Sequence, residues 1–139
     1  MAGAKNILYI DDEANNLVSF KSNFRKHFEI FLAQNISEAQ TILAEQKINV
    51  IIADQRMSPV TGIEFFSMIK DYHPLPVRMI LTGYTDIPIL TSALSSGLVY
   101  QYLVKPINEL ELFFSIERAI EVYNLRQENS ELKSMLSSR

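Results

Sequence analysis

The sequence predicts an α/β domain built on a five-stranded, parallel, doubly wound sheet, with an extended C-terminal helix. Three observations predict it. Short apolar runs without polar alternation recur along the chain, the clearest being Asn49-Val50-Ile51-Ile52-Ala53-Asp54, and such runs mark strands covered on both faces. Between these runs lie stretches whose apolar residues fall at helical spacing. Alternation of the two kinds implies parallel strands joined by right-handed crossovers, with helices on both faces of the sheet.

In chain order, Ile7-Leu8-Tyr9-Ile10 is the first strand and runs into Asp11-Asp12-Glu13. Leu17, Phe20, Phe24 and Phe28 line one face of the first helix. Glu29 to Ala33 is the second strand. Asn35 caps the next helix, with Glu38 placed for a capping box, and Ile36, Ala39, Ile42 and Leu43 face inward. Val50 to Ala53 is the third strand. The loop from Gln55 to Thr61 leads to a helix that starts near Gly62, turns Ile63, Phe66 and Ile69 inward, and is broken by Pro74 and Pro76. Val77 to Leu81 is the fourth strand, ending in Thr82-Gly83. Thr85 or Asp86 caps a helix that carries Leu90, Ala93 and Leu94 and stops at Gly97. Val99 to Val104 is the fifth strand, Lys105-Pro106 closes it, and a long last helix begins near Asn108.

A chain of 139 residues, 47% hydrophobic, is enough for one packed domain with a tail: residues 1–123 form the domain and 124–139 a helical extension. The net charge of −3 offers no basic patch for nucleic acid or an anionic membrane. The absence of cysteine excludes disulfides, thiol catalysis and thiolate metal sites. No apolar run reaches the length of a membrane span and no signal-peptide pattern opens the chain, so a cytoplasmic protein is expected. His27 and His73 lie far apart and read as solvated helix-end residues.

The strand ends carry the chemistry. In a parallel sheet all carboxyl ends lie on one edge, where open α/β sheets place their ligands. That edge receives Asp11, Asp12 and Glu13 from the first strand, Asp54 from the third, Thr82 from the fourth and Lys105 from the fifth. Packed carboxylates repel one another and call for a cation. All-oxygen donors suit a hard ion such as Mg2+. A hydroxyl and an ammonium beside it suit the oxygens of a transferring phosphoryl group, with Asp54 as the nucleophile that forms an acyl phosphate.

These residues resemble the receiver domain of bacterial two-component response regulators, over about residues 5–123. The resemblance rests on Asp11-Asp12-Glu13, on Asp54 with Met57 and with Gly62 eight residues on, on Thr82-Gly83, on Tyr102 and on Lys105-Pro106. It implies the flavodoxin-like receiver fold and a phosphorylation-dependent switch. Asp54 would accept phosphate from a sensor histidine kinase or a phosphotransfer protein. Asp12 and Asp54 would ligate Mg2+ directly with the backbone carbonyl of Arg56, and Asp11 would act through water. Lys105 and Thr82 would bind the phosphoryl oxygens, and Tyr102 matches the family's rotating aromatic. Such a domain is regulatory rather than an enzyme, although it assists its own phosphoryl transfer and dephosphorylation. The stretches Asp54-Gln55-Arg56-Met57 and Leu81-Thr82-Gly83-Tyr84-Thr85-Asp86 are similar to receivers fused to signalling outputs, which leaves room for a C-terminal output domain.

Two departures stand out. Ser58 intervenes between Met57 and Pro59, where the family often has Pro directly after Met. Tyr84, second after Thr82, is bulky and would, with Arg56, shield the acyl phosphate from water. Beyond Ile120 the helical pattern continues as heptads: Val122, Asn129 and Leu136 at a, Leu125 and Leu132 at d, Glu121 and Glu128 at g, Arg126 and Lys133 at e. In a parallel pair Glu121 meets Arg126 of the second copy and Glu128 meets Lys133, so a homodimer through a short coiled coil is expected. The alternative function is a Mg2+-dependent phosphatase with an aspartyl nucleophile, which would want that nucleophile after the first strand and a second acid two residues on. A flavin carrier would want a hydroxyl- and glycine-rich loop where three acids stand. An inactive scaffold is disfavoured by the complete site.

Overall fold

The computed structural model describes residues 3–137, with every side chain among them except that of Tyr84. In order along the chain come β1 (Asn6–Ile10), α1 (Ala14–Phe24), β2 (Glu29–Ala33), α2 (Ile36–Glu45), β3 (Val50–Asp54), α3 (Gly62–Ile69) and β4 (Val77–Thr82). A 3-10 turn (Tyr84–Asp86), α4 (Ile87–Ser95), β5 (Gln101–Val104) and α5 (Glu109–Ser137) complete it. The strands form one sheet in the order β2-β1-β3-β4-β5, and every pairing is parallel. The doubly wound fold with a long last helix is therefore as the sequence predicts.

The strand sequences explain the layering. All five residues of β3 are buried, and all six of β4. Their alternate side chains feed two cores. Val50, Ile52, Val77, Met79 and Leu81 pack with α1 and α5, whereas Ile51, Ala53 and Ile80 pack with α2, α3 and α4. Strand order reverses between β1 and β3, so the residues after these two strands flank a crevice at the carboxyl edge.

Several local expectations are refined. Helix α1 ends at Phe24, not Phe28. The N–H groups of His27 and Phe28 both bond to the Phe24 carbonyl, which closes the helix, while the Phe28 ring stays buried against Phe24 and Phe113. Asn35 caps α2 by accepting the Glu38 N–H (2.9 Å), but the Glu38 carboxylate accepts from Gln34, so only half of a capping box forms there. The complete capping box is at α3, between Thr61 and Glu64. Phe65 is fully buried on α3, whereas Ile63 is half-buried; on α4, Leu94 is exposed. Neither Thr85 nor Asp86 caps α4 with its side chain. Strand β5 starts at Gln101, because the Val99 N–H goes to Ala93 of α4 instead of to the sheet. Gly97 stops α4 in the left-handed conformation (φ 81°) that glycine adopts at little cost. Asn108 caps α5 by accepting the Glu111 N–H at 3.0 Å.

Candidate functional site

Asp54 is the last residue of β3 and only 4% exposed. Lys105, just after β5, donates to both of its carboxylate oxygens, at 2.9 and 3.0 Å. Burial pushes the Asp54 carboxyl above the usual range; Lys105 opposes that rise, and the Asp11 carboxylate adds to it. Asp11 and Asp54 are thus close enough to repel, as expected of acids sharing one edge.

Asp11 is fully buried and held by three donors: the Tyr9 hydroxyl (2.6 Å) and the Asn16 amide (3.0 Å) on Oδ2, and the Glu13 N–H (3.0 Å) on Oδ1. Asp12 is half-exposed, and its Oδ2 accepts the Ser58 N–H at 3.2 Å. Proline at 58 could not donate that bond, so the serine departure in this loop ties it to the acid pair.

Thr82, 1% exposed at the end of β4, shares its one hydroxyl proton between Gly83 O (3.1 Å) and Asp86 Oδ2 (3.3 Å). Asp86 also faces the Arg56 guanidinium at 3.5 Å, and Arg56 donates to Thr85 Oγ1 at 2.6 Å. Arg56 therefore spans from the β3–α3 loop to the start of α4, while its backbone N–H makes a long bond (3.4 Å) to Asp54 Oδ1. Tyr102 is half-buried on the α4 side of the sheet, its Cα paired with that of Ile80 two residues before Thr82. Whether Tyr84 covers the site is a question outside the described side chains.

The loop that frames Asp54 is fixed by two residues. Gln55, buried, gives its N–H to Leu81, takes the N–H groups of Met57 and Gly62 on its carbonyl, and takes that of Ile63 on its side chain. Gly62 lies so close to β3 and β4 that an added Cβ would stand 2.7 Å from Ile80 Cδ1 and 2.9 Å from the Asp54 carbonyl oxygen. Ile80 can turn aside but the backbone carbonyl cannot. Gly62→Ala is expected to cost about 1–3 kcal/mol of stability, seen as a lower urea midpoint with an unchanged slope. A midpoint equal to that of the parent would show that α3 shifts freely.

Among the described residues no three His, Cys, Asp or Glu side chains stand together as ready metal ligands. Asp54 faces Lys105, Asp12 faces Ser58, and Asp11 faces Tyr9 and Asn16. The donor chemistry nonetheless fits a hard cation: the acids offer only oxygen, and positive charge would relieve the Asp11–Asp54 repulsion. Sequence reasoning missed Tyr9, Asn16, Gln55 and Asp86. Tyr9 was legible as the one side chain with a hydroxyl in an apolar strand, two residues before Asp11 and so on the same face.

A doubly wound sheet with three acids, a hydroxyl and a lysine at its carboxyl edge defines a receiver-type α/β domain. The family model for the response regulator receiver domain matches residues 7–117. The chain is 30% identical, over 122 residues, to the hydrogenase transcriptional regulatory protein HoxA of Bradyrhizobium diazoefficiens, covering 88% of this chain and 25% of that protein. It resembles the solved response regulator receiver domain protein from Clostridium thermocellum at 31% identity and a TM-score of 0.80, over 86% of this chain and 97% of that one. A solved chain of the adenylate cyclase from Rhodopirellula baltica superposes with a TM-score of 0.91 at 27% identity, over 95% of this chain and 98% of its own. The chain belongs to the response regulator receiver domain family. It spans about a quarter of the length of the curated relatives it matches. Domains of this family are generally regulatory rather than catalytic. No helix among the described residues is long and apolar enough to cross a membrane.

Proposed function

We propose that this chain is a phosphorylation-controlled switch in which Asp54 takes a phosphoryl group from a sensor histidine kinase or phosphotransfer protein. The observation that carries the reading is the buried Asp54 carboxylate bridged on both oxygens by Lys105 at the carboxyl edge of the sheet. A carboxylate oxygen of Asp54 attacks phosphorus, a P–O bond forms, and the P–N bond to the donor imidazole breaks with its electron pair left on nitrogen. Asp12 and Asp54, with the Arg56 carbonyl, would hold Mg2+ directly and Asp11 through water. When bound, the ion offsets charge on the phosphoryl oxygens.

The new oxygens are acceptors for the Lys105 ammonium and the Thr82 hydroxyl. Reaching them requires Thr82 to release Asp86. That movement vacates space on the face that Tyr102 shares with Thr82, so Tyr102 turns inward and reshapes the surface beside α4 and α5. Helix α5 then carries the change to a second copy or to an output module. The aspartyl phosphatase alternative would place its nucleophile at Asp11, which is fully buried and occupied by three donors.

The test is incubation with acetyl phosphate, with and without Mg2+. The expected outcome is the mass gain of one phosphoryl group, only with Mg2+, on the peptide that contains Asp54. Labelling elsewhere, or none, rejects the assignment.

A further inference from the structure

The residue that grips Asp11 most closely is Tyr9, to which neither the family resemblance nor the mechanism above gives a role. It is 3% exposed, and its ring stacks on Phe20 of α1 with centroids 4.4 Å apart and planes at 24°. A phenylalanine would pack there equally well. What the phenol adds is a hydroxyl, and its one hydrogen bond among the described residues goes to Asp11 Oδ2 at 2.6 Å, the length of a charge-assisted O–H···O− bond.

We propose that Tyr9 is a positioning residue of the phosphoacceptor site: its hydroxyl pins Oδ2 of Asp11 and so fixes the orientation from which Asp11 serves the cation. This rests on the reading that Asp11, Asp12 and Asp54 hold Mg2+. A carboxylate has about four acceptor directions. Tyr9 and Asn16 fill both on Oδ2, and the Glu13 N–H fills one on Oδ1. Asp11 therefore meets the ion, or a water bound to it, through a single remaining lone pair on Oδ1.

The sign of the effect follows from which oxygen Tyr9 holds. Its bond goes to Oδ2 and persists when Oδ1 engages the cation, so its energy cancels between the free and bound states. Orientation does not cancel. Without the hydroxyl the carboxylate keeps only Asn16 on Oδ2 and the Glu13 N–H on Oδ1, and the free lone pair of Oδ1 is aimed less tightly. Loss of an outer partner costs a metal site about 10–100-fold in affinity; with Asn16 still in place, the lower end applies.

The experiment is Mg2+ titration of the whole chain by calorimetry, for the parent, Tyr9→Phe and Asn16→Ala, with melting of each in the absence of metal. Tyr9→Phe keeps the ring stack, and its Mg2+ Kd is expected to rise about tenfold. Asn16→Ala removes the other donor to the same oxygen without touching the stack. Its Kd is expected to rise in the same direction, and it decides the matter if Tyr9→Phe does not fold. A merely structural tyrosine would lower the metal-free melting temperature and leave both Kd values within twofold of the parent, which overturns the proposal. A parent chain that takes up no Mg2+ overturns the cation reading together with it. A parent that binds normally alongside two indifferent variants removes the role of Tyr9 alone.

Discussion

Asp54→Asn is expected to take up no phosphoryl group and yet to melt about 3–6 °C above the parent at neutral pH, what roughly 1 kcal/mol yields in a domain of this size. The buried Asp54 carboxyl has its pKa raised in the folded state, by burial first and then by Asp11, against the pull of Lys105. A carboxyl raised on folding favours the folded state below its unfolded pKa, and that contribution is lost as pH rises through the folded value. At neutral pH the ionised Asp54 is thus a net cost, which the amide removes while still accepting from Lys105. The advantage of Asn should shrink as pH falls through the raised carboxyl range and vanish below the unfolded one. Lys105→Met is expected to move the other way. It leaves the carboxylate buried without its cation, a change that costs several kcal/mol at a buried pair. The Lys105 side chain is 41% exposed, so solvent screens part of that and about 1–2 kcal/mol is expected. The loss should be regained on acidification as Asp54 protonates. Melting curves of the three chains between acid and neutral pH check both signs. An Asn variant less stable than the parent at neutral pH would show that Lys105 outweighs burial.

Asp54 and Lys105 were legible because strand ends in a parallel sheet share an edge, and the apolar runs that fix those ends are unbroken in the sequence. The same logic located Asp11, Asp12 and Thr82 on that edge. Partners were not legible. Nothing in the spacing of Thr82 and Asp86 says that the hydroxyl goes to that carboxylate, because the 3-10 turn between them is marked by a local backbone bond, Asp86 N–H to Gly83 O at 3.4 Å, which leaves no hydrophobic pattern. Helical periodicity led to Phe28 as an α1 residue, since a buried ring just past a helix end has the same spacing as one within it. Gln55 was invisible because its role is backbone bonding, which leaves no hydrophobic pattern.

The tail shows where sequence and structure pull apart, and it carries the other large expected effect. Helix α5 runs 29 residues, roughly 43 Å at ~1.5 Å per residue. Leu112, Ile116, Ala119, Ile120 and Tyr123 bury themselves on the sheet, after which Leu125, Leu132 and Leu136 are 65%, 52% and 67% exposed. The match to the Rhodopirellula baltica chain covers 95% of this one, a span that must include part of this projecting helix. A second copy is the proposed cover, with Leu125 and Leu132 at its centre. The expected Arg126 pairing needs revision, because Arg126 donates to Leu75 O (3.4 Å) and Pro76 O (3.3 Å) of its own chain. Those bonds are long, and burial first, then the charge of Arg126, lowers the pKa of Arg78, whose Nη1 has no hydrogen-bond partner among the described residues. In the proposed dimer Arg126 would have to leave these two carbonyls to reach Glu121 of the second copy, so dimerisation and release of Arg126 are coupled in this proposal. Sedimentation of the parent should show a monomer–dimer equilibrium that shifts with concentration and with acetyl phosphate. Leu125→Glu with Leu132→Glu should remain monomeric throughout, its association weakened at least tenfold, since two buried like charges each cost more than about 1.4 kcal/mol. A parent that is monomeric at every concentration, or a dimer indifferent to both glutamates, would remove the helix as the interface.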